Sequence, residues 1–172
     1  MALMASTRRE ADEQTLPIWV YLVLPLLALG LQSLVTLHFS HFGLLDLPLL
    51  VVVYFGTARR NPVGATLGGM VIGILQDALT HQPIGVFGLA KSFIGYLAAS
   101  VGAKLDTDAH GSRLLLTFCF VFLHNGIDWV LMSHMLARPM GWNWILELIS
   151  AAINAVVAVV LFALLDRTRS QE

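Results

Sequence analysis

The sequence predicts an all-α membrane protein, a bundle of six transmembrane helices, and three observations carry the prediction. Of 172 residues, 57% are hydrophobic and 12% charged, with a mean hydropathy of +0.77; a soluble domain carries about 25% charged residues. Apolar runs long enough to cross a hydrocarbon core of roughly 30 Å recur along the whole chain. The basic residues, finally, alternate between connections as six spans require. Little length is left for a soluble domain. The net charge of -1 identifies no partner, and no nucleic acid is expected among them.

Residues 1–15 are polar, with Arg8, Arg9, Glu10, Asp12 and Glu13, and form a tail. The first span covers 16–38. Its apolar run of about 23 residues exceeds the roughly 7–15 of a signal-peptide core, and no A-x-A-like site closes it, so the span is retained. The second, 44–58, is short and contains Pro48; the third is 62–80, the fourth 84–103, the fifth 114–136 and the sixth 144–165. Residues 166–172 form the second tail. Gly43, Asn61-Pro62, Gln82-Pro83 and Arg138-Pro139 punctuate short connections. The longest, Lys104 to Arg113, is polar and includes Asp106, Asp108 and Gly111. Trp19 and Tyr21 on the first span, with Trp142 and Trp144 at the start of the sixth, suit interfacial anchoring, and His38 and His41 flank the first outer turn.

Orientation follows from the positive residues. With the N-terminus inside, the cytoplasmic side collects Arg8, Arg9, Arg59, Arg60, Lys104, Arg113, Arg167 and Arg169. The outer side holds only Arg138, and Lys91 lies within a span. This asymmetry predicts two cytoplasmic termini.

The third span is unusual in carrying Gly64, Gly68, Gly69 and Gly73 ahead of Asp77. Each glycine costs roughly 0.5–1 kcal/mol against alanine in a helix, whereas in a membrane small residues four apart let another backbone approach. At about 100° per residue, Gly69, Gly73 and Asp77 share one face and Gly64 and Gly68 another, so this helix is expected to be gripped from two sides. The fourth span aligns Gly88, Lys91, Gly95, Ala98 and Gly102. Gly64, Gly68, Gly69, Gly73, Asp77, Gly88 and Gly95 are therefore the expected helix-packing or partner interface.

Intramembrane ionisable groups rarely face lipid, and here they gather toward the outer half: Asp77, Lys91, His124, Asn125, Asp128 and Glu147. Thr117, His124 and Asp128 share one face of the fifth span; Glu147, Ser150, Ala151, Asn154 and Ala158 share one face of the sixth. Asp77 and Lys91, across the turn at Gln82-Pro83, are the expected ion pair. Three roles stand open for the cluster: fixing helix register with a reach to headgroups, forming a partner-binding surface or small outward cavity, or carrying protons or ions. His124-x-x-x-Asp128 has metal-ligand spacing, but without a second histidine it reads as a hydrogen-bonded pair, and no metal or other cofactor is expected. The single Cys119 excludes an intrachain disulfide and reads as a small buried hydrophobe. No G-x-S-x-G, H-E-x-x-H or P-loop is present, and nothing pairs a nucleophile with a base, so the chain is not expected to be an enzyme.

The run G-x-x-x-G-[LI]-x-x-D, present as Gly69, Gly73, Ile74 and Asp77, resembles the bacterial rod shape-determining protein MreD family. So does the G-x-x-G-L-x-K-S-x-x-G-Y stretch from Gly85 to Tyr96. The architecture matches over nearly the whole length and the specific part covers about Leu47 to Leu105; His124, Asn125, Asp128 and the charged N-terminal tail fall outside the pattern. The resemblance implies a non-enzymatic inner-membrane component of the cell-elongation machinery, which inserts peptidoglycan along the side wall of rod-shaped bacteria. It implies a scaffold and partner of the bitopic protein MreC, within a wider assembly of MreB, the glycan polymerase RodA and its partner transpeptidase. It implies as well a fold resembling the substrate-binding subunit of energy-coupling-factor transporters. Such a vitamin-binding subunit is the alternative function, with the polar cluster lining an outward cavity. Against it, the first span lacks a small-residue A-x-x-x-A face and the outer loops are too short to close a lid.

Overall fold

The computed structural model describes residues 17–38, 44–105, 107, 109–138 and 141–167. Residues 1–15, residues 168–172, Gly43, His41, Asp106, Asp108 and Pro139 lie outside the described residues, as does the side chain of His38; Asp166, expected in the second tail, ends the last helix. Six α-helices make up the described chain: α1 (Ile18–His38), α2 (Leu47–Arg59), α3 (Pro62–Thr80), α4 (Val86–Gly102), α5 (His110–Val130) and α6 (Trp144–Asp166). A π-helical turn, Leu131–Met135, extends α5.

Helix starts follow local chemistry. Asp46 lies outside α2, not within it as a start at residue 44 required, because its carboxylate accepts the Leu49 N–H at 3.0 Å and caps the helix. Pro48 then occupies the first turn, where a missing N–H costs nothing. Asn61 caps α3 through the Gly64 N–H at 3.0 Å, and Asn143 caps α6 through Ile145 and Leu146. At the other end of the bundle, Arg113 belongs to α5 rather than to the connection before it. Its Nε donates to the Thr107 carbonyl at 2.9 Å and its Nη1 to Asp166 Oδ2 at 2.5 Å, while the Tyr54 hydroxyl bonds Asp166 Oδ1 at 3.1 Å.

The shortest helix is the centre of the fold. Every residue of α2 from Pro48 to Tyr54 is buried, against Ile94 and Ala98 of α4, Val121 of α5 and Ala151 and Phe162 of α6. A helix that is apolar all round belongs inside. Its 13 residues span about 20 Å at 1.5 Å each, which suffices because protein rather than lipid surrounds it. The apolar surface instead turns outward: Leu22, Leu67, Leu115 and Val160 are exposed on α1, α3, α5 and α6. Helix α3, α5 with its π turn, and α6 are each long and apolar enough to cross a membrane. Cys119 is exposed on α5, on the outward side and not in the core as its apolar neighbours suggested.

Helices α3 and α4 form the most extensive pairing. A Cβ on Gly69 would strike the Lys91 carbonyl, one on Gly73 the Phe87 carbonyl, and one on Gly95 the Ala65 carbonyl. Across the other side of α4, a Cβ on Gly56 of α2 would meet Ala98 at 2.8 Å, and one on Gly102 would meet Thr57 at 2.8 Å. Helix α4 is thus held between α3 and α2 at backbone distance. The second glycine face of α3 differs from the expectation of a two-sided grip. Among the described residues nothing lies within 4 Å of a Cβ on Gly68, and Gly64 meets only the side chain of its own cap, Asn61. Helix α1 stands off this face, leaving a groove.

The two faces make opposite predictions. Gly73→Ala forces the α3 and α4 backbones apart and destabilises the purified protein by about 1–3 kcal/mol, whereas Gly68→Ala leaves it unchanged or more stable. Thermal unfolding of both variants in detergent checks this; equal losses would refute the assignment of faces.

Candidate functional site

The polar residues meet at the end of the bundle where α2, α4 and α6 begin. The segment Leu44–Leu47, between α1 and α2, is fixed there from three sides. Gln32 of α1 donates to the Leu45 carbonyl at 2.7 Å and accepts the Leu47 N–H at 3.2 Å. Ser150 and Asn154 of α6 both donate to the Leu44 carbonyl at 2.7 Å, and the Asp46 N–H donates to Asn154 Oδ1 at 3.0 Å. Irregular backbone at membrane depth requires such partners, because no solvent supplies them.

Lys91 closes the arrangement from α4. Its side chain is completely buried, and Nζ lies 2.5 Å from Asp46 Oδ2, 3.3 Å from His124 Nε2 and 5.1 Å from the centre of the Phe87 ring. The expected Asp77–Lys91 pair is therefore replaced by Asp46–Lys91. Asp77, fully buried itself, accepts the backbone N–H groups of Gly85 at 2.8 Å, Phe87 at 3.1 Å and Gly88 at 3.4 Å. It caps α4 from the preceding helix. Gly85 sits at φ 104 and has no side chain with which to do so, and a carboxylate at a helix N-terminus also gains from the macrodipole. One turn of α4 separates the two acids' roles.

His124 is engaged at both ring nitrogens, with Nδ1 3.4 Å from Asn125 Oδ1 and the ring stacked on Phe87. The tautomer consistent with both contacts carries its proton on Nδ1 and accepts from Lys91 at Nε2. His124 therefore faces Lys91 and Asn125 rather than forming the expected pair with Asp128. Asn125 Nδ2 donates to Glu147 Oε2 at 2.8 Å, tying α5 to α6. Among the described residues no group of three His, Cys, Asp or Glu side chains is placed to hold a metal.

Beside this network lies a cavity of about 370 Å³, bordered by Asp46, Gln76, His124, Asp128, Trp142 and Glu147. Three buried atoms on its walls have no hydrogen-bond partner among the described residues: Gln76 Oε1, Asp128 Oδ1 and Trp142 Nε1. With the Lys91 charge matched by Asp46, the cavity presents the carboxylates of Asp128 and Glu147 and suits hydrogen-bond donors and cations. Of the residues singled out from sequence, Lys91, His124, Asn125, Asp128 and Glu147 border or feed this site, Asp77 lies beneath it as a helix cap, and Gly69, Gly73, Gly88 and Gly95 hold α3 and α4 together. Gly64 and Gly68 face away from it. Asp46, Gln32 and Gln76 were not anticipated, and Asn154, expected on the polar face of the sixth span, proves to hold the Leu44–Asp46 backbone. For Asp46 a signal existed: an acid two residues before Pro48 ahead of an apolar run is a helix start.

Breaking the buried pair from either side strands a charge. Lys91→Met and Asp46→Asn are each expected to cost about 3–5 kcal/mol and the double variant much less than their sum. Lys91→Met combined with Asp77→Asn should be closer to additive. Thermal unfolding of the two cycles decides which acid is the partner of Lys91.

No curated protein and no solved structure matches the chain. The sequence model of the family described as rod shape-determining protein MreD matches residues 13–167. That range contains every helix and every polar residue of the site, and the chain belongs to the MreD family of rod shape-determining membrane proteins.

Proposed function

We propose that this protein is a non-enzymatic scaffold of the cell-elongation complex in the bacterial inner membrane, and that it holds an MreC-like bitopic protein at its polar cavity. The observation that carries the reading is the set of unpartnered atoms Gln76 Oε1, Asp128 Oδ1 and Trp142 Nε1 on one cavity wall system. An unsatisfied buried polar group costs about 1–3 kcal/mol, and a partner chain carrying amide and cationic groups recovers that cost. The excess of arginine and lysine at the opposite end supports an outward-facing cavity and two cytoplasmic termini. A bitopic partner whose bulk lies outside presents the residues next to its transmembrane helix at this level. MreB, RodA and its transpeptidase belong to the wider assembly.

Gly73→Leu, which sequence alone recommends for probing a partner interface, is unsuited to that purpose because Gly73 contacts α4 of the same chain. Cavity variants separate binding from folding. Gln76→Leu and Asp128→Asn are expected to lower capture of an MreC-like protein about 10- to 100-fold, as loss of a hydrogen bond worth about 1.5–3 kcal/mol predicts, with membrane insertion and elution profile unchanged. Undiminished capture in both variants counts against the cavity. Depletion in a rod-shaped host should round the cells; normal shape with a vitamin auxotrophy would instead favour a transporter subunit.

A further inference from the structure

The groove between α1 and α3 has no part in the polar network, and its composition is one-sided. It encloses about 430 Å³ and runs along the open glycine face of α3. Gly64 and Gly68 leave that wall flat, while Leu22 and Leu26 of α1 and Leu67 and Val71 of α3 border it with exposed side chains. Among the described residues Arg59 is the only charged one lining it, and it lies at the end where α3 begins, beside Asn61. Its guanidinium sits 4.6 Å above the centre of the Tyr21 ring.

We propose that this groove seats one acyl chain of an anionic glycerophospholipid whose phosphate is bound by Arg59. The lining is apolar apart from one end, with Val52, Phe55 and Ile72 beside the glycines, and the leucine and valine borders offer an unbranched chain apolar contact. Among the described residues the single lining charge is positive and no acid lines the groove, so the groove is complementary to a molecule with one long apolar tail region and one anionic head. Tyr21 lies against the guanidinium on one side, and the N–H groups of an arginine can bind a phosphate while the cation rests on an aromatic ring. The position of Arg59, at the helix end, is where a headgroup meets the hydrocarbon region. The lipid completes the packing of α1 on α3 along the glycine face, beside the cluster that joins Ala28 and Ile72.

The test uses the purified protein in detergent and native mass spectrometry with dioleoylphosphatidylglycerol and dioleoylphosphatidylcholine in competition. The phosphatidylglycerol is expected to bind about fivefold more tightly, the preference conferred by one arginine near a surface anion. Arg59→Gln should abolish the preference while retaining residual binding of both lipids. Gly68→Leu, which places a side chain in the groove where nothing obstructs it, should remove binding of both while thermal unfolding shows a folded protein. Equal affinity for the two lipids, or a preference that survives both variants, overturns the proposal. So does a Gly68→Leu protein that keeps its lipid but loses capture of a bitopic partner, since the groove is then a seat for a helix.

Discussion

The backbone contact between α3 and α4 is the constraint on which the other features depend. Because Gly69 and Gly73 bring α3 against the carbonyls of Lys91 and Phe87, the carboxylate of Asp77 reaches the first N–H groups of α4 and closes its open end. The same approach leaves the opposite side of α4 to α2, where Gly56 and Gly102 repeat the device. With α4 fixed in rotation by both neighbours, Lys91 can point only into the junction of α2, α5 and α6. A methyl group at either glycine would move all of this together.

The buried charge has a positional role more than a stabilising one. An ion pair removed from water recovers its desolvation cost only with good geometry and further hydrogen bonds. Here Lys91 has Asp46, His124 and the Phe87 ring, and Asp46 is held in turn by Asn154 and by its own helix. The result is a registry device linking four helices at one end, matched at the other end by Arg113, Asp166 and Tyr54. Between the two polar layers α2 is purely apolar, so both of its ends are located by charge and its middle by packing.

The glycine face of α3 was legible because helical spacing relates Gly69, Gly73 and Asp77 before any neighbour is known. Its depth was legible too, since Asp77 follows the last glycine by one turn. What that carboxylate touches was not. The choice between Lys91 and three backbone N–H groups depends on the rotation of α4, which α2 sets. Likewise Gly68 and Gly69 are adjacent and chemically identical, yet one meets a backbone and the other meets nothing. Asp46 escaped notice because an acid at the edge of an apolar run looks like part of a connection, and only its contact with Lys91, 45 residues away, gives it a role.

Composition, helical periodicity and motif by themselves determined that this is an all-helical membrane protein of the MreD family, with close-packed third and fourth helices and polar groups gathered at one end. These are properties of single helices, set by which residues recur every turn and by how costly a charge or a glycine is in lipid. Only the tertiary structure decided that α2 is the buried centre, that Lys91 pairs with Asp46 while Asp77 caps α4, and that one glycine face is filled and the other open. Each of those depends on how one helix is rotated against another, and that rotation is fixed by packing among residues far apart in the chain.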